Sequence, residues 1–157
     1  MVPYINTFDN VFVQDEIHSI LKSYKRIKSV LHRDLSVNNF YNRKQISKNV
    51  SLNSSNNILK LVNSISNDTL TFKDIWVNTI RDKTDDVFHV DQSLWSAVVF
   101  LNDDFTGGEF QYINVDGRQK TIIPTVFKCV VMNNLVQHRV APVESGVRKT
   151  LVYFFER

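Results

Sequence analysis

The 157-residue chain has little of three residue types that often shape small domains, with one Cys, three Pro and four Gly. A single cysteine cannot form an intrachain disulfide, which excludes a disulfide framework. No run approaches the length of about eighteen apolar residues that a membrane-spanning helix needs. The first ten residues, MVPYINTFDN, contain neither a basic nor an apolar segment. We therefore predict no signal peptide and expect a reducing, cytoplasmic location.

The composition, 43% hydrophobic and 22% charged, predicts one globular domain with a single core. The net charge of +3 is unevenly distributed. Residues 21–60 contain nine Lys or Arg and one acid, Asp34, which gives +8 there and −5 elsewhere. This segment is either an exposed helix face with a polar loop or a basic surface for an acidic partner. No series of aromatic residues accompanies this basic segment as it would along a nucleic-acid-binding groove. The sequence therefore does not favour nucleic acid as a partner.

Helices are predicted only in the first part of the chain. Apolar residues recur at helical spacing from Asp15 to Leu31, and again after Ser54 or Ser55 until a turn near Asn67. The polar, aperiodic residues 32–53 between them are expected to be an exposed connection, and a lid if a site lies nearby. We thus divide a single domain, 1–157, into a helical N-terminal support, 1–68, and a β core, 69–157.

The β core is predicted from short β-branched and aromatic runs separated by turn signals. The predicted strands are Leu70–Ile80, Val87–Asp91, Leu94–Leu101, Glu109–Val115, Lys120–Ile123, Val126–Met132, Gln137–Val143 and Val147–Phe155. With no helices between them, these strands favour an antiparallel barrel or a double-sheet jelly roll over a parallel sheet. The predicted fold class is mainly β with N-terminal helices, α+β overall.

Three residues form a candidate metal site. On an extended chain, His89 and Asp91 leave the same face with about 6–7 Å between their α-carbons, so both could bind one ion. His138 begins a later predicted strand, which a sandwich could bring alongside. Two histidines and one carboxylate form the facial triad of non-haem Fe(II) oxygenases. In the alternative interpretation, His89 and Asp91 are neighbouring surface residues without a metal, and His138 has a structural role.

Arg148 is a candidate anchor for an acidic ligand, because a guanidinium offers two parallel donors to a carboxylate. Thr150 shares its strand face and could add a hydrogen bond. An exposed Arg148 followed by Lys149 is the alternative interpretation. Trp95, four residues beyond Asp91, could line the mouth of a substrate site.

In order along the chain, these elements resemble the 2-oxoglutarate and Fe(II)-dependent dioxygenases, especially the prolyl 4-hydroxylase-like branch. The resemblance covers residues 74–156. Its motifs are His89-Val90-Asp91 as the HxD pair, SAVVFLNDDFTGGEF at 96–110, and HRVAPVESGVRKT at 138–150.

The resemblance implies a double-stranded β-helix that holds Fe(II) through His89, Asp91 and His138. It implies 2-oxoglutarate as cosubstrate with its distal carboxylate on Arg148, O2 as oxidant, and ascorbate as an additional cofactor. The implied activity is hydroxylation of a C–H bond with release of succinate and CO2. A prolyl residue of a peptide or protein is the implied substrate, and a small molecule is the alternative.

The chain departs from that family at the tyrosine that prolyl hydroxylases carry about ten residues before the HxD histidine. Residues 77–80 are Val-Asn-Thr-Ile here. Thr79, Tyr112 and Thr150 are therefore candidates to complete the 2-oxoglutarate contacts.

Two other classes of function remain open from sequence. One is a catalytically silent jelly-roll module that binds a partner through its basic segment. The other is a cupin-like enzyme that uses the same three ligands for Zn or Mn. Arg148 and the Gly-Gly-Glu segment, 107–109, favour the oxygenase.

Overall fold

The computed structural model describes residues 1–12, 18, 19, 22, 41–45, 56–81 and 86–157. Among these residues, one helix is described from its first to its last residue, α1 (Asn56–Ser66). The strands are β1 (Ile5–Phe8), β2 (Tyr41–Gln45), β3 (Thr71–Arg81), β4 (Trp95–Phe100), β5 (Thr106–Gly107), β6 (Phe110–Ile113), β7 (Gln119–Ile122), β8 (Cys129–Asn133), β9 (His138–Val140), β10 (Val143–Ser145) and β11 (Val147–Glu156). No described helix is long and apolar enough to cross a membrane.

The strands form an antiparallel double-sheet jelly roll, which confirms the predicted fold class. A six-stranded sheet has the order β1-β8-β4-β11-β3-β2. The smaller layer consists of a three-stranded sheet, β7-β6-β9, and the pair β10-β5. Apolar side chains from β4, β8 and β11 pack with Phe110 of β6 in the space between the layers. The interior between the two layers is where the cavity described below lies.

β11 lies in the middle of the large sheet, paired with β3 on one side and β4 on the other. Successive side chains on a strand point to opposite faces. Leu151, Tyr153 and Phe155 accordingly pack into the apolar cluster that includes residues of α1. Arg148 and Thr150 are equally buried but line the cavity on the other face. One strand thus contributes to both the core and the site.

The predicted second helix is confirmed as α1. Ile58 and Val62, on its predicted apolar stripe, are fully buried. Asn67, directly after the helix, adopts a left-handed conformation (φ 53°), as is common at helix C-termini. The Asn63 side chain accepts a hydrogen bond from the Leu70 N–H at 2.9 Å and donates one to the Leu70 carbonyl at 3.4 Å. This pair of bonds connects the helix to the start of β3.

The N-terminal region is not only helical, which corrects the prediction for residues 1–68. β1 pairs with β8, and β2 pairs with β3 within the predicted lid, 32–53. Both are edge strands. Their placement depends on backbone pairing with a partner rather than on an apolar alternation of their own. Apart from β2, the predicted lid lies outside the described residues. So does the predicted first helix, except for His18, Ser19 and Lys22, which are helical.

Three strand predictions in the β core are corrected. Val87–Asp91 is not a strand and makes one isolated bridge, His89 with His138. Gln137–Val143 is divided into β9 and β10 on either side of Ala141-Pro142, because proline lacks the N–H that a ladder needs. The short strand β5 lies within a predicted turn. It includes Gly107 (φ 71°), where an added Cβ would lie 2.2 Å from the Pro142 carbonyl oxygen.

Candidate active site

The structure brings together the three predicted metal ligands. Asp91 Oδ1 lies 3.8 Å from His89 Nε2 and 3.5 Å from His138 Nε2, and the three ligand atoms lie within 4.8 Å of one another. Two atoms that bind one ion at about 2.1 Å each cannot be more than about 4.2 Å apart. Both Asp91 distances meet this limit, and the 4.8 Å bound on the remaining pair is close to it, so small side-chain adjustments would let the three groups bind one ion.

The backbone holds the two histidines side by side. Each donates its N–H to the carbonyl of the other, at 3.0 Å and 2.9 Å. Phe110 stacks on the His138 ring with ring centroids 5.3 Å apart and planes at 8°. His138 is therefore fixed by backbone pairing and by an aromatic neighbour.

Hydrogen bonds select the ring nitrogen that faces the candidate metal. His89 Nδ1 lies 2.8 Å from the Val87 carbonyl oxygen, and His138 Nδ1 lies 3.0 Å from that of Val136. Because a carbonyl only accepts, Nδ1 carries the proton in both rings, and Nε2 has a free lone pair in the neutral form. Both Nε2 atoms are the ones near Asp91.

Asp91 and His138 shift each other's ionisation. Burial opposes the charge on Asp91, but the hydrogen bond and charge of His138, with further help from Ser96 and His89, lower the pKa of Asp91. Burial also opposes the charge on His138, but its hydrogen bond to Asp91 and the charge of that carboxylate raise the pKa of His138. The pair thus favours an ionised carboxylate, the form that binds a metal, and a bound metal would displace the proton that Asp91 favours on His138.

The candidate metal ligands open into a cavity of about 490 Å³. Its wall is formed by both layers of the jelly roll and is lined by Asn78, Ile80, Asp86, His89, Asp91, Val98, Phe110, His138, Val140, Arg148, Thr150, Val152 and Phe154. Six of these residues are apolar, and the polar groups lie in two places: the metal ligands with the neighbouring Asp86, and a row on β3 and β11. This combination is typical of a small-molecule site.

Arg148 is the buried cation of the cavity, with 2% of its surface exposed. Its Nε donates a 2.8 Å hydrogen bond to the Gly108 carbonyl, and its guanidinium carbon lies 5.2 Å from the centre of the Phe100 ring. A Cβ at residue 108 would lie 3.0 Å from Arg148 Cδ. Gly108 therefore allows the close approach that orients the guanidinium.

Two further polar residues lie next to Arg148. Thr150 is two residues along β11 and is fully buried, and Asn78 is its partner across the β3–β11 ladder. Among the described residues, Thr150 Oγ1 and Asn78 Oδ1 are buried without a hydrogen-bond partner. Buried polar atoms without a partner are rare because each costs about 1–3 kcal/mol. Their position on the cavity wall indicates that a polar ligand completes them.

Three predicted site residues lie elsewhere. Thr79 is on the other face of β3 from Asn78 and does not line the cavity. Tyr112 packs against the apolar cluster between the layers but is also absent from the cavity wall. Trp95, predicted at the substrate mouth, is 8% exposed in the cluster on the other face of the large sheet, 5.4 Å from the Tyr4 ring. We therefore assign Trp95 to the core.

The structure adds three polar residues that the sequence prediction did not include. Asn78 lines the cavity as described. Asp86 Oδ2 accepts a 3.0 Å hydrogen bond from the Val140 N–H, which connects the segment before His89 to β9. Ser96 donates a 2.6 Å hydrogen bond to Asp91 Oδ2. From sequence, only the alternation of side chains along β3 could have identified Asn78. No spacing rule identifies Asp86 or Ser96.

Comparison with known proteins places the fold in a class. No family model matches the sequence, and no curated protein matches it. Solved structures of 2-oxoglutarate/Fe(II) oxygenases and prolyl hydroxylases share its fold, in agreement with the predicted resemblance.

Three of these structures illustrate the likeness. An oxidoreductase of the 2OG-Fe(II) oxygenase family from Burkholderia pseudomallei is 17% identical with a TM-score of 0.63; 74% of this chain aligns with 65%, less than two thirds, of that protein. A prolyl-4-hydroxylase from Pseudomonas putida is 16% identical with a TM-score of 0.73, over 98% and 92% of the two chains. HygX from Streptomyces hygroscopicus, with nickel and 2-oxoglutarate bound, is 12% identical with a TM-score of 0.75, over 96% and 81%. Another HygX structure also holds hygromycin B.

Proposed function

We propose that this protein is a 2-oxoglutarate-dependent Fe(II) oxygenase that hydroxylates a C–H bond. The observation that carries the proposal is a single cavity with two complementary polar groups. His89, Asp91 and His138 offer three ligands to one ion, and Arg148 offers a buried cation to an anion. A 2-oxoglutarate molecule has a keto acid for the metal and a second carboxylate for the guanidinium.

The proposed metal is Fe(II), since two histidines and one carboxylate with open positions are typical of non-haem Fe(II) oxygenases. When bound, Fe(II) with 2-oxoglutarate supplies the activation of O2. In the balanced reaction, substrate, 2-oxoglutarate and O2 give hydroxylated substrate, succinate and CO2. Ascorbate would serve as an additional cofactor.

The residues of this chain would bind and orient the reactants. Arg148 would hold the distal carboxylate, and its bond to Gly108 would direct the guanidinium into the cavity. Thr150 would donate its otherwise unpartnered hydroxyl to the same carboxylate. The fixed donors replace water around the carboxylate, and the apolar side chains Val98 and Phe110 limit the remaining water.

We propose a residue of a peptide or protein, such as a prolyl residue, as the substrate. His89 has 42% of its side chain exposed, and Val87 and Val90 beside it are exposed apolar residues. A side chain of a large molecule can therefore approach the metal ligands from this side. The shared fold with a prolyl-4-hydroxylase supports this class. A small molecule is the second candidate, because HygX, which has the same fold, is seen with hygromycin B.

The direct test is succinate production by anaerobically prepared, Fe(II)-loaded protein after addition of 2-oxoglutarate and O2, with and without proline-containing peptides. Stimulation by a peptide would support both the reaction and the substrate class. Weak turnover that no peptide stimulates would support the oxygenase and argue against the prolyl substrate. Activity without 2-oxoglutarate or O2 would favour the Zn or Mn enzyme instead. Failure to bind either Fe(II) or 2-oxoglutarate would favour the silent binding module.

The Arg148→Ala variant distinguishes the role of the arginine from that of the metal ligands. Arg148→Ala is expected to weaken 2-oxoglutarate binding by at least about tenfold and to leave metal affinity nearly unchanged, since a hydrogen-bonded charge contributes about 1.5–3 kcal/mol. The matched control is Arg157→Ala, which removes an arginine whose side chain is 72% exposed. Equal loss of metal and 2-oxoglutarate affinity in Arg148→Ala would contradict the anchoring role.

A further inference from the structure

Two buried hydroxyl groups, those of Ser93 and Ser96, form hydrogen bonds in series with Asp91. Ser96 Oγ is 2.6 Å from Asp91 Oδ2, and Ser93 Oγ is 3.1 Å from Ser96 Oγ. The exposed fractions of Ser96 and Ser93 are 2% and 4%. An ionised carboxylate only accepts hydrogen bonds, so the single Ser96 proton goes to Asp91. Ser93 must then be the donor in the bond to Ser96, and the chain of donors runs from Ser93 to Ser96 to Asp91.

The large sheet fixes the position of Ser96, the middle residue of this hydrogen-bonded series. Ser96 belongs to β4, which pairs with β11 on one side and β8 on the other. Its cross-strand partners are Phe154 and Met132. Asp91 itself lies outside any strand. A hydrogen bond from the sheet therefore constrains one oxygen of a carboxylate whose own backbone belongs to no strand.

The two oxygens of Asp91 consequently differ in their surroundings. Oδ2 accepts the Ser96 bond, while Oδ1 is the oxygen near His89 Nε2 and His138 Nε2. A carboxylate can bind a metal ion through one oxygen or through both. Binding through both would occupy a position that the oxygenase needs for 2-oxoglutarate or O2.

We propose that Ser96, supported by Ser93, is a positioning residue that makes Asp91 a ligand through one oxygen only. The proposal rests on the metal site of the proposed function. Ser96 holds Oδ2 away from the ion and presents Oδ1 to it, which keeps a coordination position open. Outer partners of this kind typically change metal affinity by about 10–100-fold.

The test uses Co(II) as a spectroscopic probe in the full-length protein, without turnover. Ser96→Ala is expected to weaken Co(II) binding by about 10–100-fold and to change the visible absorption spectrum, because Oδ2 becomes available to the ion. Ser96→Thr keeps the hydroxyl and should restore both properties. Ser93→Ala should cause a smaller loss in the same direction. Ser145→Ala is the matched control, since it removes an exposed hydroxyl that also makes a 2.6 Å hydrogen bond, to Thr106.

Several outcomes would overturn the proposal. One is a Ser96→Ala protein with the Co(II) affinity and spectrum of the wild type. Another is a loss of affinity that Ser96→Thr does not restore, which would show a structural effect of the site. If Ser96→Ala does not fold, a Ser93→Ala protein with wild-type affinity and spectrum is sufficient to reject it. A wild-type protein that binds no Co(II) would instead reject the proposed function, so the two failures are distinguishable.

Discussion

The two faces of β11 differ in chemistry although they belong to the same ten residues. Leu151, Tyr153 and Phe155 contribute apolar surface to the core on one face. Arg148 and Thr150 present polar groups to the cavity on the other, and Thr150 Oγ1 has no partner among the described residues. Burial on both faces is nearly complete, so burial alone does not separate core from site. The difference teaches that odd or even position, and not burial, distinguishes the candidate ligand contacts Arg148 and Thr150 from the core residues of the same strand.

The largest expected effect is on the cavity face of this comparison. Asp91→Ala removes one of three candidate metal ligands, and we expect metal affinity to fall by more than about 100-fold and succinate production to be lost. The fold should stay intact, because Asp91 lies outside the strands. Circular dichroism measures whether the fold is intact, and a succinate assay measures turnover. The exposed Asp116→Ala is the control. Full turnover by Asp91→Ala would contradict the metal assignment.

The next effect is on the core face. Leu151→Ala should lower the free energy of unfolding by about 2–5 kcal/mol, because it leaves a cavity in the apolar cluster. The folded variant should bind 2-oxoglutarate like the wild type, since Leu151 does not line the cavity. Urea unfolding and titration of the Ni(II)-loaded protein check this pair of results. A variant with unchanged stability and weakened binding would reverse the assignment of the two faces.

Two threonines sharpen the comparison, because both have a buried hydroxyl without a partner among the described residues. Thr150→Val should weaken 2-oxoglutarate binding by about 10–100-fold, the effect of losing a hydrogen bond to a charged group. It should also raise the unfolding free energy of the ligand-free protein by about 1 kcal/mol, because a buried hydroxyl without a partner is removed. Thr79→Val, on the other face, should give the same gain in stability with no loss of binding. Equal binding by both variants would argue against Thr150 as a ligand contact.

The smallest effect at neutral pH concerns Cys129, which is fully buried on the core side. Burial raises the pKa of the Cys129 thiol to about 12. The thiol is therefore neutral in the folded protein where an unfolded chain, with a pKa near 9, would ionise it. Its contribution to stability is fully present below about pH 9 and decreases by about 1.4 kcal/mol per pH unit as the pH rises towards 12. Unfolding at pH 8 to 10.5 should show a flatter decrease for Cys129→Ala, and parallel curves would contradict this.

The sequence predicted the parts of the fold that depend on local pattern. Apolar runs with turn signals predicted β3, β4 and β11 to within one residue of their bounds. The HxD spacing and a distant histidine predicted the three residues that the structure brings together. β1 and β2 were missed because edge strands are placed by their partners. The segment around His89 was predicted as a strand because its apolar alternation is real, although it makes one bridge only.

The choice between neighbouring residues was beyond the sequence for a physical reason. β4 is buried on both faces and β3 is buried on one face and half-buried on the other, so apolar alternation does not mark which face lines a cavity. Thr79 was therefore predicted in place of Asn78, and Trp95 was assigned to the mouth of the site. The bond between Ser96 and Asp91 crosses a bend of five residues, and no helix or strand period relates these two positions.

The reciprocal backbone bonds between His89 and His138 affect the order in which the site is built. Backbone pairing within the chain holds the two imidazoles together, with ring centroids 4.5 Å apart. The entropy of ordering these ligands is then lost during folding and not during metal binding. An incoming ion has to displace water and a proton. It does not have to order the backbone around His89, which is already paired with His138. Metal binding should therefore leave the backbone around His89 unchanged.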